Sequence, residues 1–141
     1  MEKNIVKKYL NLFSNLTPDN INKFDDLICK DIIFVDPFNN IKGINAFKNI
    51  FYHMFENVKD PKFLILDYSI NKQRVYLKWK MTFFAFKSLQ TIEGMSELLL
   101  NDVGKVVSHI DYWDSLNGIF IKIPFIGSFY KISLFLFKSK T

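Results

Sequence analysis

The chain has 141 residues, 49% hydrophobic and 17% aromatic, enough for one hydrophobic core and too few for two domains of ordinary size. Charged residues at 23%, with four prolines and five glycines, exclude a disordered or fibrous chain. The net charge of +5 is uneven: residues 1–114 balance to +1, while 115–141 hold Lys122, Lys131, Lys138 and Lys140 and no acid, so the folded body is close to neutral.

Arg74 is the only arginine. Guanidinium forks dominate base reading and much phosphate recognition, so no nucleic-acid partner is expected. Cys29 stands alone, which rules out an internal disulfide, and no cysteine–histidine spacing suggests a metal. No organic cofactor is implied either. The first residues carry no apolar run of signal-peptide length, so a cytoplasmic chain is expected.

Ile5, Tyr9, Leu12, Phe13 and Leu16 recur at helical spacing with Lys3, Lys7 and Asn11 opposite, which predicts an amphipathic helix over 3–16 with Tyr9 in its apolar stripe. Thr17-Pro18 offers an N-cap and a proline at the first helical position. A second short helix is therefore expected to about Cys29, burying Ile21, Phe24, Leu27 and Ile28. Asp31–Asp36 is a β-rich run stopped by Pro37, and residues 37–40 have turn chemistry. Ile44, Phe47, Phe51, Met54, Phe55 and Val58 mark a third amphipathic helix over 44–58, with His53 on its opposite, solvated face.

The period then changes. Residues 62–70, 73–86, 91–101 and 105–114 alternate or run apolar between turn signals, which predicts four strands in an antiparallel meander. Helices first and strands later make the class α+β, with helices on one face of a curved sheet. Residues 115–141 form two short apolar pieces broken at Pro124 and Gly127. Lysines at 122 and 131 make a membrane-spanning helix a poor fit, and an interfacial or protein-buried segment is easier to satisfy.

Several features together resemble the SnoaL-like and ketosteroid-isomerase-like branch of the nuclear transport factor 2-like fold. They are the two opening helices, the strand ending Phe34-Val35-Asp36-Pro37, Lys42-Gly43 before a third helix, and four closing strands with Gly104-Lys105-Val106-Val107 and His109-Ile110-Asp111-Tyr112-Trp113-Asp114. The resemblance covers residues 3–114. It implies a cone between helices and concave sheet, in a domain over 1–114, that holds small apolar molecules; the basic apolar extension over 115–141, expected to be helical, lies beyond the resemblance. Carried over from ketosteroid isomerases, Asp36 falls at the general base and Tyr9 at the oxyanion tyrosine, while Ser96 stands where those enzymes hold a protonated carboxylic acid. The closing strand is also similar to a limonene-epoxide-hydrolase pattern, which places Asp111 at a water-activating aspartate. The middle-strand Arg-x-Asp of those enzymes corresponds here to Lys78-Trp79-Lys80-Met81-Thr82.

The residues also have a reading of their own. His109, Asp111 and Trp113 share one strand face, and Ile110, Tyr112 and Asp114 the other. An imidazole and a carboxylate meeting in a cavity suit acid–base work; equally, they satisfy one another. Asp36 serves either as a pocket base or as the cap of the turn that follows. Tyr9 is either an oxyanion donor or a core tyrosine with a satisfied hydroxyl. Trp79, Met81 and Phe83 share a face, with Ser96 and Leu98 on the next strand. They form either a wall for a flat apolar ligand or a filled core.

Two functions follow from these alternatives. In the first, the chain binds a small apolar molecule and performs isomerase or hydratase/hydrolase chemistry, with Asp36 or Asp111 as base and Tyr9, Ser96 or His109 as donors. In the second it is a non-catalytic binding or interaction module. The tail likewise admits three placements: on its own sheet, on the second subunit of a homodimer, or on an anionic membrane surface as a peripheral contact.

Overall fold

The structure, a computed structural model, describes residues 2–133 and 138. The apolar piece expected at 134–137 lies outside the described residues. Helix α1 (Glu2–Ser14) leads to a 3-10 helix (Pro18–Asp26), then β1 (Ile28–Val35), β2 (Asn40–Lys42) and α2 (Ile44–Asn57). Four strands follow: β3 (Lys59–Asn71), β4 (Arg74–Ala85), β5 (Ser88–Leu100) and β6 (Val106–Trp113). The described chain closes with α3 (Ser115–Gly118), a 3-10 turn (Phe120–Lys122) and α4 (Ile126–Ser133).

The six strands form one sheet in the order β2-β1-β6-β5-β4-β3. All pairings are antiparallel except β1 with β6, which is parallel. That pairing joins the first strand to the closing one and makes one continuous sheet of all six. Register shifts in β3, between Lys59 and Lys62 and between Ile65 and Asp67, are the irregularities that bend a strand. Pro61 is tolerated there because β3 is an edge strand.

The second helix differs from expectation. It is 3-10 rather than α, and it ends before Ile28 and Cys29, which already belong to β1. Ile21, Phe24 and Leu27 are buried at intervals of three, the period of a 3-10 helix, whose side chains eclipse every third residue. Its Asn- and Asp-rich remainder competes with α-helical bonding through side chains; Asn20 Oδ1 accepts from the Thr17 N–H at 2.9 Å. The expected turn at 37–40 is shorter than predicted, because Asn40 opens β2 and pairs with Val35.

Helices and sheet meet in an aromatic core. Tyr9, Phe13, Phe24, Phe34, Phe47 and Phe51 are all buried, with mostly edge-to-face rings such as Tyr9–Phe13 at 5.1 Å and Phe24–Phe47 at 5.1 Å. The start of the C-terminal segment lies on its own sheet: Ile119 packs against the core, and Lys122 Nζ donates to Gln90 Oε1 of β5. No helix among the described residues is long and apolar enough to cross a membrane.

Candidate functional site

The alternation of β6 brings His109 and Asp111 to the helix-facing side of the sheet, and the register of β5 sets Ser96 directly opposite Asp111. The result is a hydrogen-bonded chain that crosses the core. Tyr9 of α1 bonds through its hydroxyl to His109 Nδ1 at 2.7 Å, and His109 Nε2 lies 2.7 Å from Asp111 Oδ1. From the other side Ser96 Oγ donates to the same Oδ1, and Trp79 Nε1 donates to Ser96 Oγ at 2.8 Å. With Asp111 as carboxylate, Nε2 carries the proton it donates and Nδ1 accepts from Tyr9. Every donor then points toward Asp111.

Burial fixes one end of this chain. Tyr9 is fully buried, and that desolvation, reinforced by the Asp111 carboxylate, raises its pKa well above the ordinary tyrosine value of 10.0. Tyr9 therefore keeps its proton and acts as a donor. Among the described residues Asp111 Oδ2 accepts no hydrogen bond, which leaves one carboxylate oxygen for a molecule beside it.

A glycine makes the Trp79–Ser96 bond possible. Trp79 lies opposite Gly94, and its indole crosses β5 so closely that a Cβ on residue 94 would fall 2.5 Å from Cζ2. Only a residue without a side chain lets the ring lie flat enough to reach Ser96. The position was legible only as a glycine inside a strand, which marks close approach by another group.

The space beside Asp111 has two parts. A recess of about 20 Å³, lined by Trp79, Ser96, His109 and Asp111 among others, has room for about one water-sized group. A larger cavity of about 250 Å³ has apolar walls that include Phe34, Phe51, Trp79, Met81, Phe83 and Trp113, with both Asp36 and Asp111 in its lining. This is slightly below the usual range of ligand pockets, about 300–1,000 Å³. The cone therefore retains open space in spite of its many phenylalanines, and the two carboxylates share it.

The remaining predicted site residues fall as follows. Asp36 lines the cavity, but its Oδ1 accepts from the backbone of Phe38 at 2.8 Å and of Asn39 at 2.6 Å, and the Asn39 side chain donates to both its oxygens. It is the cap of its turn as well as a wall residue. Tyr9 does not line the cavity and reaches it only through His109 and Asp111. Leu98 is fully buried between Val75 and His109 in register and lines neither space. His53 is exposed and bonded to Asn57 at 3.1 Å, yet it contributes to the cavity's lining, a placement its helical face did not suggest. At the rim, the exposed Phe38 meets Trp113 and Phe120 edge-on at 5.4 and 5.8 Å. Ile119 of the C-terminal segment completes part of the wall. No group of three His, Cys, Asp or Glu side chains that could hold a metal occurs among the described residues.

Comparison with known proteins places the fold. Residues 6–109 match the SnoaL-like domain family. An NTF2-like protein from Exiguobacterium sp. 255-15 is 22% identical with a TM-score of 0.67, over 78% of this chain and 98% of the other. An LEH-like epoxide hydrolase of M. tuberculosis is 14% identical with a TM-score of 0.66, over 96% of this chain and 95% of the other. A protein of ketosteroid isomerase-like fold from Catenulispora acidiphila, in complex with trimethylamine, is 14% identical with a TM-score of 0.70, over 84% and 90%. No curated protein matches the chain. At these identities the solved structures show the fold: the nuclear transport factor 2-like α+β cone with helices on a curved, mainly antiparallel sheet.

Proposed function

Because the chain belongs to the SnoaL-like domain family, and because one carboxylate stands both in its cavity and at the centre of a buried hydrogen-bond chain, we propose that it binds a small, largely apolar molecule and moves a proton at Asp111. The observation that carries this reading is the division of labour between the two oxygens of Asp111. Oδ1 is held by His109 and Ser96, which orients the carboxylate. Oδ2 is left for the ligand, in a cavity whose lining is mostly aromatic and aliphatic. A base in this position takes a proton from a bound molecule, becoming a carboxylic acid, and returns it to a different atom; this is isomerisation. With water as the molecule deprotonated, the same group supports addition to an electrophile, which is hydration or hydrolysis.

Asp36 is not assigned the base. Its oxygens are occupied by the turn it caps, and its part is to shape the wall. Trp79, Met81, Phe83 and Trp113 supply apolar surface for the ligand, and Tyr9, His109 and Ser96 position Asp111.

The test uses a panel of small apolar ketones and epoxides in D2O, with turnover and deuterium incorporation read by mass spectrometry and binding by shifts of the Trp79 and Trp113 indole NMR signals. Wild-type protein should exchange or convert at least one binder. Asp111→Asn should still bind it but lose the exchange by 100-fold or more, as expected for removal of a general base, typically worth about 10²–10⁴. Ligands that shift both indoles while neither exchanging nor converting would refute the catalytic reading and leave a binding module, the rival the fold also allows.

A further inference from the structure

We propose that the C-terminal segment and the neighbouring β4–β5 hairpin tip form a docking surface for an anionic lipid bilayer, with α4 lying in the interface. This proposal is independent of the reaction at Asp111. Helix α4 (Ile126–Ser133) and the residue before it leave Phe125, Ile126, Phe129 and Ile132 exposed, Phe125 at 88% and Phe129 at 79%. At spacings of three, Ile126, Phe129 and Ile132 fall on one helical face, with Lys131 directed away from them, and the exposed Phe125 precedes the helix in a left-handed conformation, φ 71°. The β4–β5 tip continues the same chemistry. Phe84, Phe86 and Leu89 are exposed there, and Phe86 and Lys87 both adopt positive φ, 52° and 64°, the left-handed pair of a tight hairpin turn that bulky residues seldom occupy.

The two pieces are tied together. Lys122, three residues before Phe125, donates to Gln90 Oε1, and Gln90 Nε2 in turn donates to Ser88 Oγ at 2.7 Å and to the Ala85 carbonyl at 3.1 Å. Charge then selects the occupant. Residues 81–92 and 115–141 contain Lys87, Lys122, Lys131, Lys138 and Lys140 and no acid. The acids that flank them along the chain are engaged: Glu93 with Lys80 at 3.4 Å, and Asp114 with the backbone of Leu116 and Asn117. A two-fold pairing of these segments with their copies would set lysines against lysines, with no carboxylate in either segment to offset them. Anionic headgroups supply the missing charge, and acyl chains accept the phenylalanines.

The experiment is flotation of the full-length protein with phosphatidylcholine vesicles, with and without phosphatidylglycerol. Near-UV circular dichroism checks the fold of each variant, and analytical ultracentrifugation its oligomeric state. Wild-type protein should float with the anionic vesicles and not with the neutral ones. Phe125→Ser/Phe129→Ser, at two exposed positions, should weaken partitioning by about tenfold or more, from the loss of buried apolar area. Lys131→Gln should weaken it about fivefold, the weight of one lysine near an anionic surface. Absence of flotation with anionic vesicles, equal flotation with neutral ones, or wild-type flotation by the double phenylalanine variant overturns the proposal. So does conversion of a dimer to a monomer by that variant without any vesicle binding, which would assign the surface to a second copy.

Discussion

Replacing Gly94 by alanine tests whether the Trp79–Ser96–Asp111 arrangement depends on close approach of an indole to a bare backbone. The added methyl would lie 2.5 Å from Trp79 Cζ2, 2.8 Å from Cη2 and 2.9 Å from Cε2. Carbon atoms rest at about 3.5–4.0 Å, so the ring must retreat by about 1 Å. Trp79 is buried, and its Nε1 reaches Ser96 Oγ at 2.8 Å; a shift of that size takes the pair beyond hydrogen-bonding distance. Overpacking costs about 1–3 kcal/mol and an unpaired buried donor about 1–3 kcal/mol. Because one movement relieves the first by causing the second, the combined loss should be about 2–4 kcal/mol. Urea unfolding of wild type, Gly94→Ala, Trp79→Phe and the double variant measures it, with Trp113 as a fluorescent reporter in all four. Phenylalanine lacks the outer indole atoms that meet the methyl, so the alanine should cost at least about 1 kcal/mol less in that background, a coupling usual for residues in contact. Additive effects would refute the reasoning, as would a loss below about 0.5 kcal/mol for Gly94→Ala alone, the scale of an ordinary surface change.

Two further outcomes follow from the same geometry. Tyr9 has a pKa raised by burial and by Asp111, so above pH 10 the unfolded chain releases a proton that the folded chain keeps. The stability Tyr9 contributes is complete below about pH 10 and declines as pH rises beyond it. Wild type should therefore lose its margin over Tyr9→Phe above about pH 10, and a margin in urea unfolding that stays constant to pH 11 would contradict the burial argument. Asp36→Ala should cost about 1–2 kcal/mol through the lost turn bonds, and Asp36→Asn, which keeps an acceptor oxygen, should cost less. Both variants should retain any exchange activity found for wild type, whereas loss of that activity in the asparagine variant would make Asp36 the base.

Much of the fold was legible because its signals are periodic. The stripe Ile5, Tyr9, Leu12, Phe13 and Leu16 located α1, and alternation between turn residues located β3 to β6 to within a few residues at each end. What escaped lacks a period of its own. Strand β2 has three residues, and the parallel pairing of β1 with β6 joins segments some seventy residues apart. In the 3-10 helix, Ile21, Phe24 and Leu27 fit an α-helical stripe almost as well as the three-residue repeat they follow. The site divides in the same way. Period two alone placed His109, Asp111 and Trp113 on one face. The bonds Tyr9–His109 and Ser96–Asp111 depend on where α1 lands and on the register of β5, which no local pattern encodes. Family resemblance supplied Tyr9 and Asp36 as candidates; geometry then separated Tyr9, behind His109, from a direct role at the cavity.

If Asp111 is the proposed base, the direction of the bonds decides where its proton goes. Tyr9 holds its proton and gives a hydrogen bond to His109; His109 and Ser96 give theirs to Asp111; Trp79 gives its own to Ser96. His109 has no free basic nitrogen, because Nδ1 already receives the Tyr9 hydroxyl and Nε2 carries the proton it gives to Asp111. A proton arriving at Asp111 Oδ2 thus has no route through the core. It can return to the ligand or pass to water in the cavity, so its fate depends on how well the ligand fills about 250 Å³. A ligand that fills the space favours return of the proton and hence isomerisation. A smaller one leaves room for water and hence for exchange or addition. Tyr9, His109, Ser96 and Trp79 are on this account positioning groups that hold one carboxylate oxygen still while the other does the chemistry.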